Sequence, residues 1–188
     1  SRGPGRVSPR PASGVEGISS WPDAVTIAKP PIALPDDLLR RLHARAGAAR
    51  WGVTQAAWRE TLERVAHAKF GDAGPQSPAL STFLESLHLD DLALACACEQ
   101  GHADAWDHLV LELRPALYRA ARAIARDDEA RDLADSLWAE LYGLDERDGR
   151  RRSLFRYFHG RSSLASWLRA VLAQRHVDRL RAGRRLEP

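Results

Sequence analysis

The sequence predicts an all-α protein, and three observations carry that expectation. Apolar residues recur at helical spacing from Leu34 onward. Glycines at 47, 71, 101 and 143 fall where those patterns stop, as helix C-termini require. No segment alternates apolar and polar residues with the period of two that marks a half-buried strand. A chain of 188 residues with 44% hydrophobic content is long enough to bury one sizeable core.

Residues 1–33 are rich in Gly, Pro and Ser without a sustained period, so a disordered tail is expected there. In the next segment Pro35 suits a first helical position, Asp36 and Asp37 favour the positive end of a helix dipole, and Leu38, Leu39 and Leu42 share one face. Thr54 reads as an N-cap, followed by Trp58, Leu62 and Val65 on one stripe up to Gly71. These two helices are expected to form a hairpin within a helical N-terminal extension spanning 34–88. The stretch "GDAGPQSPA" reads as a loop.

Residues 89–188 form the second unit. Leu89, Leu92, Ala93 and Cys96 precede a stop at Gly101. Trp106, Leu109, Val110, Leu113, Leu117, Ala121 and Ile124 then make the strongest amphipathic stripe, with Pro115 expected to kink or break it. Asp127 and Asp128 are expected to cap a helix whose buried face is Ala130, Leu133, Ala134, Leu137 and Leu141. "LDERDGRRRS" reads as a polar connection to a last helix carrying Leu164, Trp167, Leu168, Val171 and Leu172.

The net charge of +3 hides a strong asymmetry. Residues 85–148 hold 6 basic and 16 acidic side chains, whereas residues 150–188 hold 11 basic and 2 acidic ones. An acidic block followed by an arginine block points to two partners, the second a polyanion. Within "LFRYFHGRSS", Phe155, Tyr157 and Phe158 alternate with Arg156 and Arg161, the combination that holds single-stranded nucleic acid by stacking and phosphate contact. The same residues equally fit an aromatic core with solvated arginines. Asp132, Asp135, Ser136 and Ala139 lie on one helical stripe next to Trp138 and Tyr142, which is either a protein-docking face or an ordinary solvated one.

No catalytic constellation stands out, because the seven histidines include no His-x-x-x-His pair and Ser162-Ser163 lacks a nucleophile elbow. Cys96, Cys98 and His102 are too few, and the two cysteines point too far apart, for a zinc site or a disulfide. Neither a cofactor nor a metal is expected. No apolar run reaches a membrane span and no signal peptide opens the chain, so a reducing, cytoplasmic setting is expected, with no membrane partner. The absence of Met and the end at Leu186-Glu187-Pro188 suggest a piece of a longer product.

From about Leu92 to Arg185 the chain resembles domain two of bacterial sigma factors of the extracytoplasmic-function type. The likeness rests on "ALACACEQGHADAWDHLVLELRPALYRAARAI", on "DDEARDLADSLWAELY", and on "YFHGRSSLASWLRAVLAQRHVDRLRAGRR" with its Phe-x-Gly-x-Ser-Ser-Leu-x-x-Trp-Leu run. It implies a helical bundle of the sigma domain-two type in a non-enzymatic transcription initiation factor that binds core RNA polymerase and melts the promoter minus-ten element. Docking on polymerase would fall to Asp132, Asp135, Ser136, Trp138, Ala139 and Tyr142. The single-stranded promoter DNA would meet Phe158, His159, Gly160, Arg161, Ser162, Ser163, Trp167, Gln174, Arg175, Asp178, Arg181, Arg184 and Arg185. In this reading Gly160 permits close approach of the strand, Ser163 caps the last helix, and Trp167 serves the core or a base.

The chain departs from the family in several places. Gln174 stands where the family commonly has Asn, and Asp135-Ser136 stands where it has Gln-Glu or Gln-Asp. The helix-turn-helix domain that reads the minus-thirty-five element is not in this sequence, and residues 34–88 match nothing nameable. The alternative is a sigma-like helical interaction protein that binds polymerase or an anti-sigma partner without opening DNA.

Overall fold

The computed structural model describes residues 32–71, 77–143, 146–147, 150–151 and 153–184. Seven α-helices account for nearly all of them: α1 (Asp36–Arg45), α2 (Gln55–Phe70), α3 (Ser77–Glu85), α4 (Leu89–Gln100), α5 (Ala103–Ile124), α6 (Asp127–Tyr142) and α7 (Leu164–Arg184). The protein is an all-α multi-helix bundle. Its β structure among the described residues is one antiparallel pair, Glu146–Arg147 with Arg150–Arg151, inside the segment expected to be a polar connection.

Each N-terminal helix follows its local chemistry. Asp36 and Asp37 occupy the first turn of α1, and Leu38, Leu39 and Leu42 are its buried face. Pro35 is the N-cap residue, one position earlier than expected. Gly47 and Gly52 adopt left-handed conformations on either side of a 3-10 turn, Ala48–Trp51, which reverses the chain into α2. There Thr54 caps as predicted, its hydroxyl accepting from Ala57 N at 3.2 Å.

The expected tail, 1–33, lies outside the described residues as far as 31, but Ile32 and Leu34 are already in the core. Helix α3 begins inside the stretch expected to be a loop up to Ala79. A Pro in the first turn is a helix-start signal that the Gly- and Pro-rich composition around it conceals. Leu80 and Leu84 are buried.

One hydrophobic cluster runs from Ile32 to Leu172, so the extension and the rest of the chain share a core. Trp58 and Leu62 are fully buried, and α2 meets α4 through Thr61 Oγ1, which donates to Cys96 Sγ at 3.2 Å, and through an Arg64–Glu99 ion pair of 3.0 Å. Cys96 and Cys98 are free thiols in that interior, and burial pushes the Cys98 thiol up to about 12.

Helix α5 is the central element and packs on α4, α6 and α7. It runs unbroken through Pro115, contrary to a break there. Asp127 and Asp128 do not cap α6: Arg126 is the N-cap residue, and the two aspartates lie in the first turn, where they favour the helix dipole. The predicted buried face of α6 is buried throughout, and Gly143 closes the helix with φ 69°.

Candidate functional site

Helices α6 and α7 lie against each other and carry the two predicted surfaces. On α6, Asp132 and Asp135 are exposed, while Ser136 and Ala139 are half-buried. Asp135 accepts a hydrogen bond from the Tyr118 hydroxyl of α5. Burial, with the Asp135 carboxylate second, raises the Tyr118 phenol above its ordinary range.

Ser136 Oγ donates to Asp132 O at 2.6 Å and accepts from Arg179 Nη2 at 2.7 Å. Trp138, expected next to the stripe as part of the docking face, is only 8% exposed and belongs to the core. Its position, one residue after Leu137, turns it toward the edge of the core. Tyr142 is 38% exposed and stacks on Trp106 with ring centroids 3.9 Å apart. The stripe is therefore exposed at Asp132 and Asp135, but Asp135 is already engaged by Tyr118 and Ser136 by Arg179.

The segment between the helices is held at several points. Ser153 Oγ donates to Leu141 O at 2.6 Å and accepts from Phe155 N at 3.3 Å, opening a 3-10 turn over Leu154–Tyr157. Three residues per turn place Phe155 and Phe158 on the same inward side, each 1% exposed. Phe158 is thus a core residue and not an available stacking ring. The two rings pack around Trp167, with centroids 6.4 Å and 5.2 Å away, so the indole is also on the core side.

The following loop rests on α4. Gly160 has φ +68°, and its carbonyl accepts from His88 N at 2.8 Å. A Cβ there would lie 3.5 Å from those of Leu87 and Leu92. What Gly160 approaches closely is the start of α4, and the residue is buried, so it offers no face to a strand. His159 is half-buried; burial first, then the Arg64 and Arg161 cations, push its imidazole below its usual value.

Arg161 is exposed, and Ser162 is half-buried with its hydroxyl donating to Ser163 O at 3.3 Å. Ser163 caps α7 as expected, accepting from Ser166 N at 3.2 Å. A second anchor has no signal in the sequence: Asp91 Oδ2 of α4 accepts from Leu164 N at 2.8 Å. Burial raises the Asp91 carboxyl above its ordinary value, against the lowering effect of that bond.

Helix α7 divides in two. Leu164, Leu168 and Leu172 are buried, and beyond Leu172 no described residue of the helix is. Gln174 is exposed and donates to Asp178 Oδ1 at 2.9 Å; Asp178 also lies 3.8 Å from Arg181. Arg175, expected to face DNA, instead makes a two-pronged contact with Glu140 of α6, at 2.5 Å for its shortest leg. Four residues on, Arg179 reaches back to Ser136 and to Asp132 O. His176 stands 3.3 Å from Glu129.

Arg181 and Arg184 are exposed, and Arg185 lies outside the described residues. Sequence reasoning misses Glu140, Arg179 and Tyr118 because their partners are 17 to 43 positions away. The signal available is the opposite charge of the two helices.

Among the described residues no group of three or more His, Cys, Asp or Glu side chains is placed to hold a metal ion. None of the described helices is long and apolar enough to cross a membrane. No protein-family model, curated protein or solved structure matches the chain.

Proposed function

We propose that the chain is a sigma-type transcription initiation factor, acting in the cytoplasm, that docks on core RNA polymerase through α6 and holds the single-stranded minus-ten element of promoter DNA with the 156–163 segment and α7. The observation that carries this reading is the layout of α7. Its apolar half is built into the core, and its second half leaves the core with Arg181 and Arg184 exposed, on the same helix that begins at the anchored loop. A basic helix that projects from a rigid base is suited to a phosphate backbone, which supplies affinity without sequence information. Asp132 and Asp135 offer the acidic surface beside it.

The internal contacts of Arg175 and Arg179 and the burial of Phe158 favour a second reading. In it the chain is a sigma-like interaction protein that binds polymerase or an anti-sigma partner and leaves DNA closed. A titration with core polymerase, followed by fork-junction and single-stranded probes, separates the two. Binding of polymerase and selective capture of the minus-ten strand is expected for an initiation factor. Binding of polymerase with no gain for the strand leaves the interaction protein, and no binding of polymerase removes the first reading. Asp132→Arg with Asp135→Arg is expected to weaken docking in folded protein, and unchanged affinity would exclude α6 as the docking surface.

A further inference from the structure

Helix α7 sets two arginines against α6, and they differ in how their charge is met. Arg175 is neutralised by the Glu140 carboxylate, which accepts from both its Nε and its Nη2. Arg179, one turn further on, meets no carboxylate among the described residues: its Nη2 donates to Ser136 Oγ at 2.7 Å and to Asp132 O at 3.4 Å. The guanidinium is thus held by neutral partners, with its charge uncompensated. Arg179 is exposed, and its Nε and Nη1 have no partner among the described residues.

The place matters as much as the charge. The guanidinium rests on Ser136, within the α6 stripe, where Asp132 and Asp135 are exposed. A phosphate chain brings its negative charges in a close row, so those carboxylates repel it from this point. A folded protein surface can set one carboxylate against the arginine and cations against the aspartates. Because the side chain is already positioned by Ser136, less ordering entropy is lost when such a partner arrives. Arg181 stands about 200° further round the helix and does not share this face.

We infer that Arg179, although it belongs to α7, is part of the protein-docking face and takes a carboxylate of the partner protein. This rests on the docking half of the proposed function. It gives that face a mixed charge, a cation at Arg179 and anions at Asp132 and Asp135, which a wholly basic partner surface would not match.

The test titrates the whole chain with core RNA polymerase. Arg179→Ala is expected to weaken binding roughly ten- to 150-fold, the worth of one hydrogen bond to a charged group. Arg179→Lys keeps the charge and loses the planar fork, so it should fall between Arg179→Ala and wild type. The amine of that variant also reports contact, since a carbodiimide should join it to an aspartate or glutamate of polymerase, read by mass spectrometry of the cross-linked peptides. The thermal midpoint should stay within about 2 °C of wild type for both variants, because the side chain is exposed and its loss leaves no buried charge. Docking by Arg179→Ala equal to wild type overturns the inference and leaves the docking reading standing, as does a cross-link confined to Asp132 or Asp135 of the same chain. A salt slope for single-stranded DNA flattened by about 0.7 in Arg179→Ala, with docking unchanged, assigns the guanidinium to a phosphate and also overturns it. Wild-type chain that does not bind polymerase removes the docking reading and the inference together.

Discussion

Gly160→Ala tests the anchor on which the candidate strand-binding segment depends. The residue sits at φ +68°, a left-handed conformation that costs an L-residue about 1–2 kcal/mol relative to glycine. Steric contact adds little, because the new methyl carbon would lie 3.5 Å from Leu87 and Leu92 Cβ and 3.6 Å from His88 O, all ordinary van der Waals distances. The expected loss is thus the backbone strain alone. For a chain of this size each kcal/mol moves the thermal midpoint by about 2–4 °C, so a fall of roughly 2–8 °C is expected by calorimetry or circular dichroism.

Gly183→Ala supplies the control. That glycine is helical, and an added methyl carbon would meet nothing within 4 Å, so alanine there should be neutral or stabilising by at most about 1 kcal/mol. Gly160→Asn should fall between wild type and Gly160→Ala, because Asn tolerates the left-handed region better. A Gly160→Ala protein melting within about 1 °C of wild type would show that the loop is not held in this conformation and that the His88–Gly160 bond does not fix it.

Phe158→Ala should cost about 3–5 kcal/mol in chemical denaturation, as expected of a ring that is 1% exposed, and Tyr157→Ala should cost almost nothing. Equal losses would contradict the inward and outward assignment of the two rings. Cys96 and Cys98 should resist a thiol reagent in the native protein and react on denaturation, since both are buried and the Cys98 thiol is pushed up to about 12; rapid native labelling would refute that. Asp91 has a raised folded pKa, so its carboxylate opposes folding above its unfolded value near 3.8, and that opposition disappears below it. Asp91→Asn, which keeps an acceptor for Leu164 N, should therefore be at least as stable as wild type at pH 7 and lose any advantage in acid. His159 has a lowered folded pKa, so stability should fall as pH drops below about 6.5, its unfolded value, and His159→Gln should flatten that part of the profile.

Much of the helical layout is legible in the sequence because each helix carries its own stop and its own apolar stripe. Gly47, Gly71, Gly101 and Gly143 end helices as expected, and the Leu133–Leu137–Leu141 face is buried. Helix α3 is not legible, since its first turn is written in the residues of a loop. The candidate site is legible as composition but not as geometry. The sequence cannot say which rings of "LFRYFH" face inward, because that depends on a 3-10 turn with a period of three. Nor does it reveal that Asp91 holds the start of α7, 73 residues away.

The four arginines in the second half of α7 look unpartnered in sequence, and space sorts them into two sets. Arg175 and Arg179, one turn apart, face α6 and are engaged by Glu140 and by Ser136 with the Asp132 carbonyl. Arg181 and Arg184 are exposed, and Arg181 lies 3.8 Å from Asp178 of its own helix. The sets should behave differently against a polyanion. Each exposed arginine that meets a phosphate should contribute about −0.7 to the slope of log affinity against log salt for a single strand, so Arg181→Ala with Arg184→Ala should flatten the slope by up to about 1.4 for all sequences alike. Arg175→Ala removes a partly buried ion pair and leaves Glu140 without its cation. It should lower the thermal midpoint and leave the salt slope unchanged. A flattened slope with unchanged stability for Arg175→Ala would mean that the guanidinium abandons Glu140 when the strand arrives. In that case α6 and α7 separate on binding, and docking at α6 and capture at α7 become coupled events.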